Sequence, residues 1–364
     1  MKIACTADWH IHQFQDFSKS ITVKWDNTCK RFRQNKQGKF MNSRLLNILS
    51  GICDIRDYCT QHNIKYILNA GDIFHKRGTI SVETFNAAYK VIESFSECGL
   101  KLITIAGNHD QVDSSANPST SIYTLQKLIT VVEEPSVIQI EEFNVCCIPY
   151  NRNKDSIVKY INEFLKENNS HNNILLAHLG ITGAAVGSGM HLMADEYNLK
   201  DLRPNDWKYV VLGHYHRPQL LSSNVFYCGT PVQNSFNDEL SDTEHQGYNG
   251  FYVIDLNESI DFIPIYQPRF ITVNNLQDIP SDTLNFFRVK IDSNGIEEVN
   301  TEGLSENIRV EIKKNYEEPQ RSTIEISDDF QVAVKKYVKE QGFNSPGLEQ
   351  LGLNILFEAV TGGV

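Results

Sequence analysis

Five short apolar runs constrain the fold of this chain most strongly. Each run is rich in β-branched and aliphatic residues, which is typical of a buried β-strand. Between the first three runs, residues 43–62 and 81–97 carry apolar residues at helical spacing. The five runs are residues 2–7, 64–70, 100–106, 172–177 and 207–212. Because strand-like runs alternate with helical patterns, we predict an α/β layered domain.

Residues that can bind a metal ion follow every one of these runs. The continuations are Asp8-Trp9-His10, Gly71-Asp72, Gly107-Asn108-His109-Asp110, His178 and Gly213-His214-Tyr215-His216. In open α/β sheets, ligands bind beyond the carboxyl ends of the strands, so five such ends can converge on one point. Asp8 and His10 are two positions apart, as are His214 and His216, so in extended backbone each pair projects to one side.

These spacings predict a metal centre with two ions. The predicted ligands are Asp8, His10, Asp72, Asn108, His178, His214 and His216. Seven ligands are too many for one ion, whereas two divalent cations that share Asp72 would each receive four. Taken alone, a histidine is more often a hydrogen-bonded core or surface residue, and a glycine before a polar residue can mark only a tight turn. The conjunction favours the metal centre, and five histidines stay unassigned: His12, His62, His171, His191 and His245.

The distribution of charge leaves two interpretations open for one segment. A net charge of −11 disfavours a protein that coats nucleic acid by bulk electrostatics. Residues 19–44 nevertheless hold eight basic residues and one acid, with Trp25, Phe32 and Phe40 interleaved. This segment is either a solvated helix face with a loop, or a contact to the phosphate backbone of nucleic acid.

The length and the apolar residues indicate the broad class of protein. A chain of 364 residues is long enough for more than one domain, and we expect two. No apolar run approaches the roughly 20 residues of a membrane helix, so we expect a cytoplasmic protein. The eight cysteines show no C-x-x-C spacing, and we expect them to be reduced core residues.

The polar blocks also resemble a known family. D-x-H, G-D, G-N-H-D, H and G-H-x-H, in that order within residues 1–255, resemble the calcineurin-like metallophosphoesterase superfamily. Within it, GDIFHKRG at residues 71–78 resembles the SbcD-type nuclease subunits of double-strand-break repair, which have phage counterparts. Phosphoprotein phosphatases of the superfamily have an aspartate where this chain has His75 and a glutamate where it has Asp110.

The resemblance implies a fold and its domains. The fold would be a two-sheet α/β/β/α sandwich, with a nuclease domain over residues 1–267. A small α+β capping domain would follow over residues 268–327, and C-terminal helices over 328–364. In the capping domain, we interpret three segments as strands and one as a helix. The strands are residues 270–273, 286–292 and 322–326, and the helix is residues 304–316.

The resemblance also implies a role for each site residue. Asp8, His10, Asp72 and His216 would hold the first ion, and Asp72, Asn108, His178 and His214 the second. Nitrogen and oxygen ligands suit manganese, iron or zinc, and the family favours manganese. His109 would stabilise the transition state or protonate the leaving oxygen, and His75 would help to position His109.

The implied activity is the hydrolysis of DNA, as an exonuclease and endonuclease, in double-strand-break repair or recombination. The resemblance also implies an SbcC-type ABC ATPase as the partner, a homodimer within a heterotetramer, and the cytoplasm of a bacterial or phage-infected cell as the location. Because this chain has no G-x-x-x-x-G-K-[ST] motif, ATP hydrolysis would have to come from that partner. The apolar stripes of the last two helices would either dock on the coiled coil of that ATPase or pack on their own domain. Lys30, Arg31 and Arg33 would contact DNA.

Two other functions remain as alternatives. The chain could be a phosphatase or small-molecule phosphodiesterase of the same superfamily, but His75 in place of the aspartate argues against this function. It could also be a non-catalytic scaffold whose metal site only stabilises the fold. The full set of seven ligands argues against a scaffold.

Overall fold

The computed structural model contains five α-helices and eighteen β-strands within the residues that it describes. These residues are 1–113, 115, 118–168, 170, 172–186, 197–241, 243–255, 259–281, 284–292, 304–313, 330–340 and 346–361. The strands are β1 (Lys2–Thr6), β2 (Ser20–Asp26), β3 (Arg31–Gln34), β4 (Lys39–Asn42), β5 (Tyr66–Asn69), β6 (Lys101–Ile105), β7 (Thr130–Val132), β8 (Ser136–Ile140), β9 (Phe143–Ile148), β10 (Asn173–His178), β11 (Tyr209–Gly213), β12 (Gln219–Leu220), β13 (Val225–Tyr227), β14 (Gly250–Asp255), β15 (Ser259–Pro264), β16 (Phe270–Val273), β17 (Phe286–Asp292) and β18 (Ile308–Lys313). The helices are α1 (Ser43–Gln61), α2 (Val82–Glu97), α3 (Lys154–Glu167), α4 (Phe330–Glu340) and α5 (Pro346–Thr361).

Two six-stranded sheets form the centre of the fold. The first has the strand order β15-β14-β1-β5-β6-β7 and the second has the order β12-β13-β11-β10-β9-β8. All five predicted apolar runs are strands, namely β1, β5, β6, β10 and β11. β1, β5 and β6 pair in parallel, and so do β10 and β11, so within each sheet their carboxyl ends lie at one edge.

Alternating side chains divide the core into layers. On β1, Ile3 and Cys5 belong to a buried cluster that also contains Leu176 of β10 and Val211 of β11, whereas Ala4 belongs to the cluster around α1 and α2. A third cluster joins α3 to the other face of the second sheet. Because side chains alternate across a strand, one face of each sheet packs on the other sheet and the opposite face packs on helices. The predicted α/β/β/α sandwich is confirmed.

The helices next to the sheets begin at conventional capping residues. The side chains of Asn42, Ser81 and Asn153 accept hydrogen bonds from backbone N–H groups in the first turns of α1, α2 and α3. Such caps satisfy amides that have no partner within the helix and contribute about 1 kcal/mol each.

Two interpretations of secondary structure were wrong. Residues 19–44 form no helix face with a loop: they contain a three-stranded sheet, β3-β2-β4, and the start of α1. The described part of the predicted helix 304–316, residues 304–313, contains no helix, because β18 lies there and joins a second small sheet, β16-β17-β18. Its sequence IRVEIK alternates apolar and polar residues, which is the period of a strand. The predicted strand at 322–326 lies outside the described residues.

The chain divides into two compact units. One comprises residues 1–290 and 301–311, and the other comprises residues 291–300 and 312–364. The first unit contains both large sheets, and the second contains α4 and α5. The predicted domain boundaries at 267/268 and 327/328 stay predictions. All eight cysteines are unpaired and six of them are buried. Within the described residues, no helix is long and apolar enough to span a membrane.

Candidate metal centre

The site is built where the carboxyl ends of strands from the two large sheets meet. The segment after β1 is fixed to the segment after β5, because Asp8 N–H donates to Gly71 O at 2.9 Å and His10 N–H donates to Asp72 O at 3.0 Å. His178, the last residue of β10, links the second sheet to the first, since its Nδ1 lies 2.7 Å from Ala70 O. The two sheets therefore present their ligand-bearing ends to a common point.

Two aspartates and two histidines form one side of the cluster. His10 Nε2 lies 2.9 Å from His216 Nε2 and 3.7 Å from Asp72 Oδ2. Ligand atoms of Asp8, His10 and His216 all lie within 4.8 Å of one another. These four residues are the set that the resemblance assigned to the first ion.

Asp72 also belongs to the other side of the cluster. Its Oδ2 lies 3.5 Å from His178 Nε2. Asn108 Oδ1 lies 2.8 Å from that same Nε2 atom and 3.0 Å from His214 Nδ1. The structure therefore brings all seven predicted ligands together, with Asp72 between the two sets.

The donor set suits divalent cations. Asp8 and Asp72 are 0% and 2% exposed, and burying two carboxylates costs free energy unless positive charge compensates them. Burial raises the pKa of Asp8 to about 6, and Asp72 raises it further, while His178 and His216 oppose the shift. Imidazole nitrogens and carboxylate oxygens without a thiolate are the ligands that manganese, iron or zinc accept.

Two histidines of the cluster, His10 and His214, are held in the neutral form. Burial, followed by the neighbouring His216, lowers the pKa of His10 well below its usual value. Burial, followed by His178, lowers the pKa of His214 to about 3. A neutral imidazole has a free lone pair, which is the form that binds a metal ion.

His109 and His75 lie beside the ligands. His109 N–H donates to Asp72 Oδ1 at 2.8 Å, and its ring Nδ1 lies 2.5 Å from the backbone oxygen of His75. The two rings stack with centroids 5.3 Å apart. His75 also reaches a ligand, with its Nδ1 3.4 Å from His10 Nδ1. Burial, followed by His109, lowers the pKa of His75 to about 4.

Two aspartates have roles in the site that were not predicted from the sequence. Asp110 is fully buried, and its carboxylate accepts from the backbone N–H groups of Asp72 and Gly107 at 2.9 and 3.0 Å. Its position in the G-N-H-D block could have indicated a role in the site from the sequence alone. Asp238 lies with Oδ1 2.8 Å from His216 Nδ1. It follows His216 by 22 residues in the stretch SFNDEL, where no ligand spacing marks it.

The three predicted DNA contacts lie on the small sheet β3-β2-β4 or its turn, and each has an acidic partner. Lys30 pairs with Glu97 at 2.9 Å. Arg31 bridges two aspartates of α1, Asp54 and Asp57. Arg33 lies 3.7 Å from Asp26, and its side chain is 61% exposed. Within the described residues, none of the three contacts a predicted metal ligand.

The fold and the clustered ligands together define a metal-dependent phosphoesterase. The family model of the calcineurin-like phosphoesterases matches residues 1–218, and this chain belongs to that family. Two relatives are nuclease subunits, as the motif GDIFHKRG predicted. Exonuclease subunit 1 of Enterobacteria phage T4 is 25% identical over 270 residues, covering 72% of this chain and 68% of that protein. The SbcD subunit of nuclease SbcCD from Escherichia coli K12 is 23% identical over 319 residues, covering 77% and 72%.

A search of solved structures also found similar chains. A dimetal phosphatase from Danio rerio has 9% identity and a TM-score of 0.37, covering 70% of this chain and 91% of its own.

Proposed function

We propose that this chain is the nuclease subunit of a DNA-processing complex, and that it hydrolyses phosphodiester bonds with a pair of divalent cations. One observation carries the proposal: seven oxygen and nitrogen donors converge around Asp72, whose Oδ2 lies within 3.7 Å of both His10 and His178. The phosphoesterase family and the two nuclease relatives support it. We assign the two ions to the two ligand sets that share Asp72.

The charge of the site suits a phosphodiester substrate. When bound, two divalent cations supply a water nucleophile at neutral pH and positive charge opposite the phosphate oxygens. Asp8 and Asp72 contribute two negative charges against four positive ones, so a loaded site attracts an anion. Phosphoryl transfer requires mainly position and charge from the protein, and we propose manganese as the metal.

His109 is the group that we assign to the leaving oxygen. Its backbone N–H is fixed to Asp72, and its Nδ1 is directed at the carbonyl of His75. A proton on Nδ1 donates to that carbonyl, which leaves Nε2 as the second ring nitrogen. Among the described residues, Nε2 has no hydrogen-bond partner, so a protonated ring can donate from Nε2 to the leaving oxygen. His75 then positions His109 through its carbonyl oxygen and the stacked rings.

We further propose that α4 and α5 bind a partner, namely the coiled coil of an SbcC-type ATPase. Four of the apolar residues in the predicted stripes are between 45% and 59% exposed: Tyr337, Leu348, Leu351 and Ile355. Amphipathic helices with exposed apolar residues are suited to a helix-in-groove contact. A heterotetramer with two nuclease subunits and two ATPase subunits, acting in double-strand-break repair or recombination, remains part of this proposal.

The nuclease assignment is tested with purified chain, manganese and linear duplex DNA. We expect cleavage that falls by about two orders of magnitude or more in His109→Ala. A small phosphomonoester is assayed in parallel. Consumption of the monoester with intact DNA would favour a phosphatase, and no hydrolysis of either substrate would favour a scaffold. Undiminished cleavage in Asp72→Ala would contradict the metal assignment.

A further inference from the structure

The two carboxylate oxygens of Asp238 have different partners: one contacts a predicted metal ligand and the other contacts the backbone of its own loop. Its Oδ1 lies 2.8 Å from His216 Nδ1. Its Oδ2 accepts from the N–H groups of Asn234 at 2.8 Å and Ser235 at 3.2 Å. The side chain is only 3% exposed, so water does not compete for these donors. Only a group that accepts at both ends satisfies all three of them.

The contact determines which nitrogen of His216 faces the metal centre. A carboxylate accepts a hydrogen bond, so His216 Nδ1 carries the proton and the lone pair of the neutral ring is on Nε2. Nε2 is the atom that lies 2.9 Å from His10 Nε2. We propose that Asp238 is a positioning residue that presents the Nε2 lone pair of His216 to one of the two ions. This inference rests on the proposed metal centre.

The loop that carries Asp238 is fixed from two directions. Arg44 of α1 is 1% exposed and donates from Nη2 to the carbonyls of Gln233 at 3.3 Å and Asn234 at 3.0 Å. The side chain of Gln233 accepts from Phe270 N–H at 2.7 Å. A carboxylate on a fixed loop orients an imidazole without a further loss of entropy when the metal binds.

Asp238→Asn is the informative substitution. An amide has one acceptor oxygen, so it cannot accept from the loop N–H groups and from His216 at once. If the oxygen stays with the loop, the NH₂ group faces Nδ1, and the proton of the ring moves to Nε2. We expect one of two Mn²⁺ ions to bind about 10- to 100-fold more weakly, measured by the electron paramagnetic resonance signal of free Mn²⁺.

Glu239→Gln is the matched control on the same loop. Glu239 Oε1 accepts from Thr272 N–H and its Oε2 accepts from the Thr272 hydroxyl, both at 2.6 Å. A glutamine keeps the bond from Thr272 N–H through its side-chain oxygen and removes the same charge as Asp238→Asn. It loses the bond from the Thr272 hydroxyl, which already accepts from Arg288, and the 3.9 Å ion pair with Arg288, but none of these groups contacts His216. We expect Mn²⁺ affinity within about twofold of the wild type. An equal loss in both variants would overturn the proposal.

A spectroscopic readout separates positioning from general loosening of the fold. With ¹¹³Cd²⁺ as the probe, we expect two resonances in the wild type, and one of them should move in Asp238→Asn towards its position in His216→Ala. Asp238→Glu keeps two acceptor oxygens and should retain most of the Mn²⁺ affinity. It also provides a second test of the proposal if Asp238→Asn does not fold. The proposal would be overturned if Asp238→Asn left both ¹¹³Cd resonances unchanged and gave the same Mn²⁺ binding isotherm as the wild type. Fewer than two ions in the wild type would instead contradict the proposed metal centre.

Discussion

Four of the seven predicted metal ligands have a positive backbone φ. Asp8, His10 and Asp72 have φ of 51°, 46° and 58°, and His214 has φ of 104°. A left-handed residue costs about 1 to 2 kcal/mol, although aspartate and histidine adopt this region more readily than most residues. Strain at four residues whose ligand atoms converge is consistent with a functional site, because the surrounding structure has to maintain it.

A substitution at Gly107 tests whether close backbone packing positions Asp72, the proposed bridging ligand. A Cβ at Gly107 would lie 2.1 Å from Asp72 Oδ1 and 2.5 Å from Asp72 N, so Gly107→Ala must displace Asp72. We expect Mn²⁺ affinity to fall by about 100-fold in a titration. Gly99→Ala is the control: Gly99 has φ of 75°, but nothing lies within 4 Å of its added Cβ. It should cost about 1 kcal/mol of unfolding free energy and leave the affinity unchanged. Equal affinities in the two variants would contradict the prediction.

The contact between His216 and Asp238 should make the free energy of unfolding of the metal-free protein depend on pH. Burial lowers the pKa of His216, but the charge of Asp238 and the hydrogen bond to it outweigh burial and raise the pKa to about 9. Because the folded pKa exceeds the unfolded value of about 6.5, the stabilisation is complete below pH 6.5 and is lost as the pH rises towards 9. Urea midpoints of the wild type and Asp238→Asn should therefore converge between pH 6.5 and 9. A gap that stays constant across this range would refute the assignment.

At the scale of elements, the sequence predicted those site residues that directly follow an apolar, strand-like run. Each ligand-bearing strand is an apolar run, so Asp72 and His178 could be placed at strand ends without a structure. The small sheet β3-β2-β4 could not be predicted in the same way, since its strands are short and its charged residues obscure any alternation. Asp238 was also beyond prediction, because its partner His216 is reached only through a tertiary contact.

Arg44 contacts several separate segments of the chain, so we expect a large loss of stability when it is substituted. Besides the carbonyls of Gln233 and Asn234, it donates to Asp16 O at 3.2 Å, and its guanidinium lies 4.6 Å from the ring centroid of Phe270. Arg44→Met removes the donor to the buried carbonyls of Gln233 and Asn234, so we expect a loss of about 3 kcal/mol in urea unfolding. Arg33→Met, at a side chain that is 61% exposed, should change stability by less than about 0.5 kcal/mol. Equal losses in the two variants would contradict this role for Arg44.

At the scale of the whole molecule, positive charge is segregated from a negative background. The chain carries a net charge of −11, yet residues 19–44 hold eight of its 34 lysines and arginines. Seven of them lie in or beside the small sheet β3-β2-β4, and the eighth, Arg44, is buried at the start of α1. The small sheet lies between β1 and α1 in the chain, and the segment that follows β1 carries the predicted ligands Asp8 and His10. Such a surface can direct a polyanion to one region of an acidic protein, whereas a uniform charge could not.

The salt dependence of DNA binding tests whether this basic sheet is used. Lys30→Gln with Arg33→Gln removes two positive charges, and it spares Arg31 because that residue ties β3 to Asp54 and Asp57 of α1. If both side chains contact phosphates, the slope of log affinity against log salt should become shallower by about 2. The matched control, Lys159→Gln with Lys166→Gln on α3, removes the same charge and should leave the slope unchanged. Parallel slopes for the wild type and the Lys30 and Arg33 variant would show that DNA does not contact this sheet, whereas equal decreases in both variants would indicate a response to net charge alone.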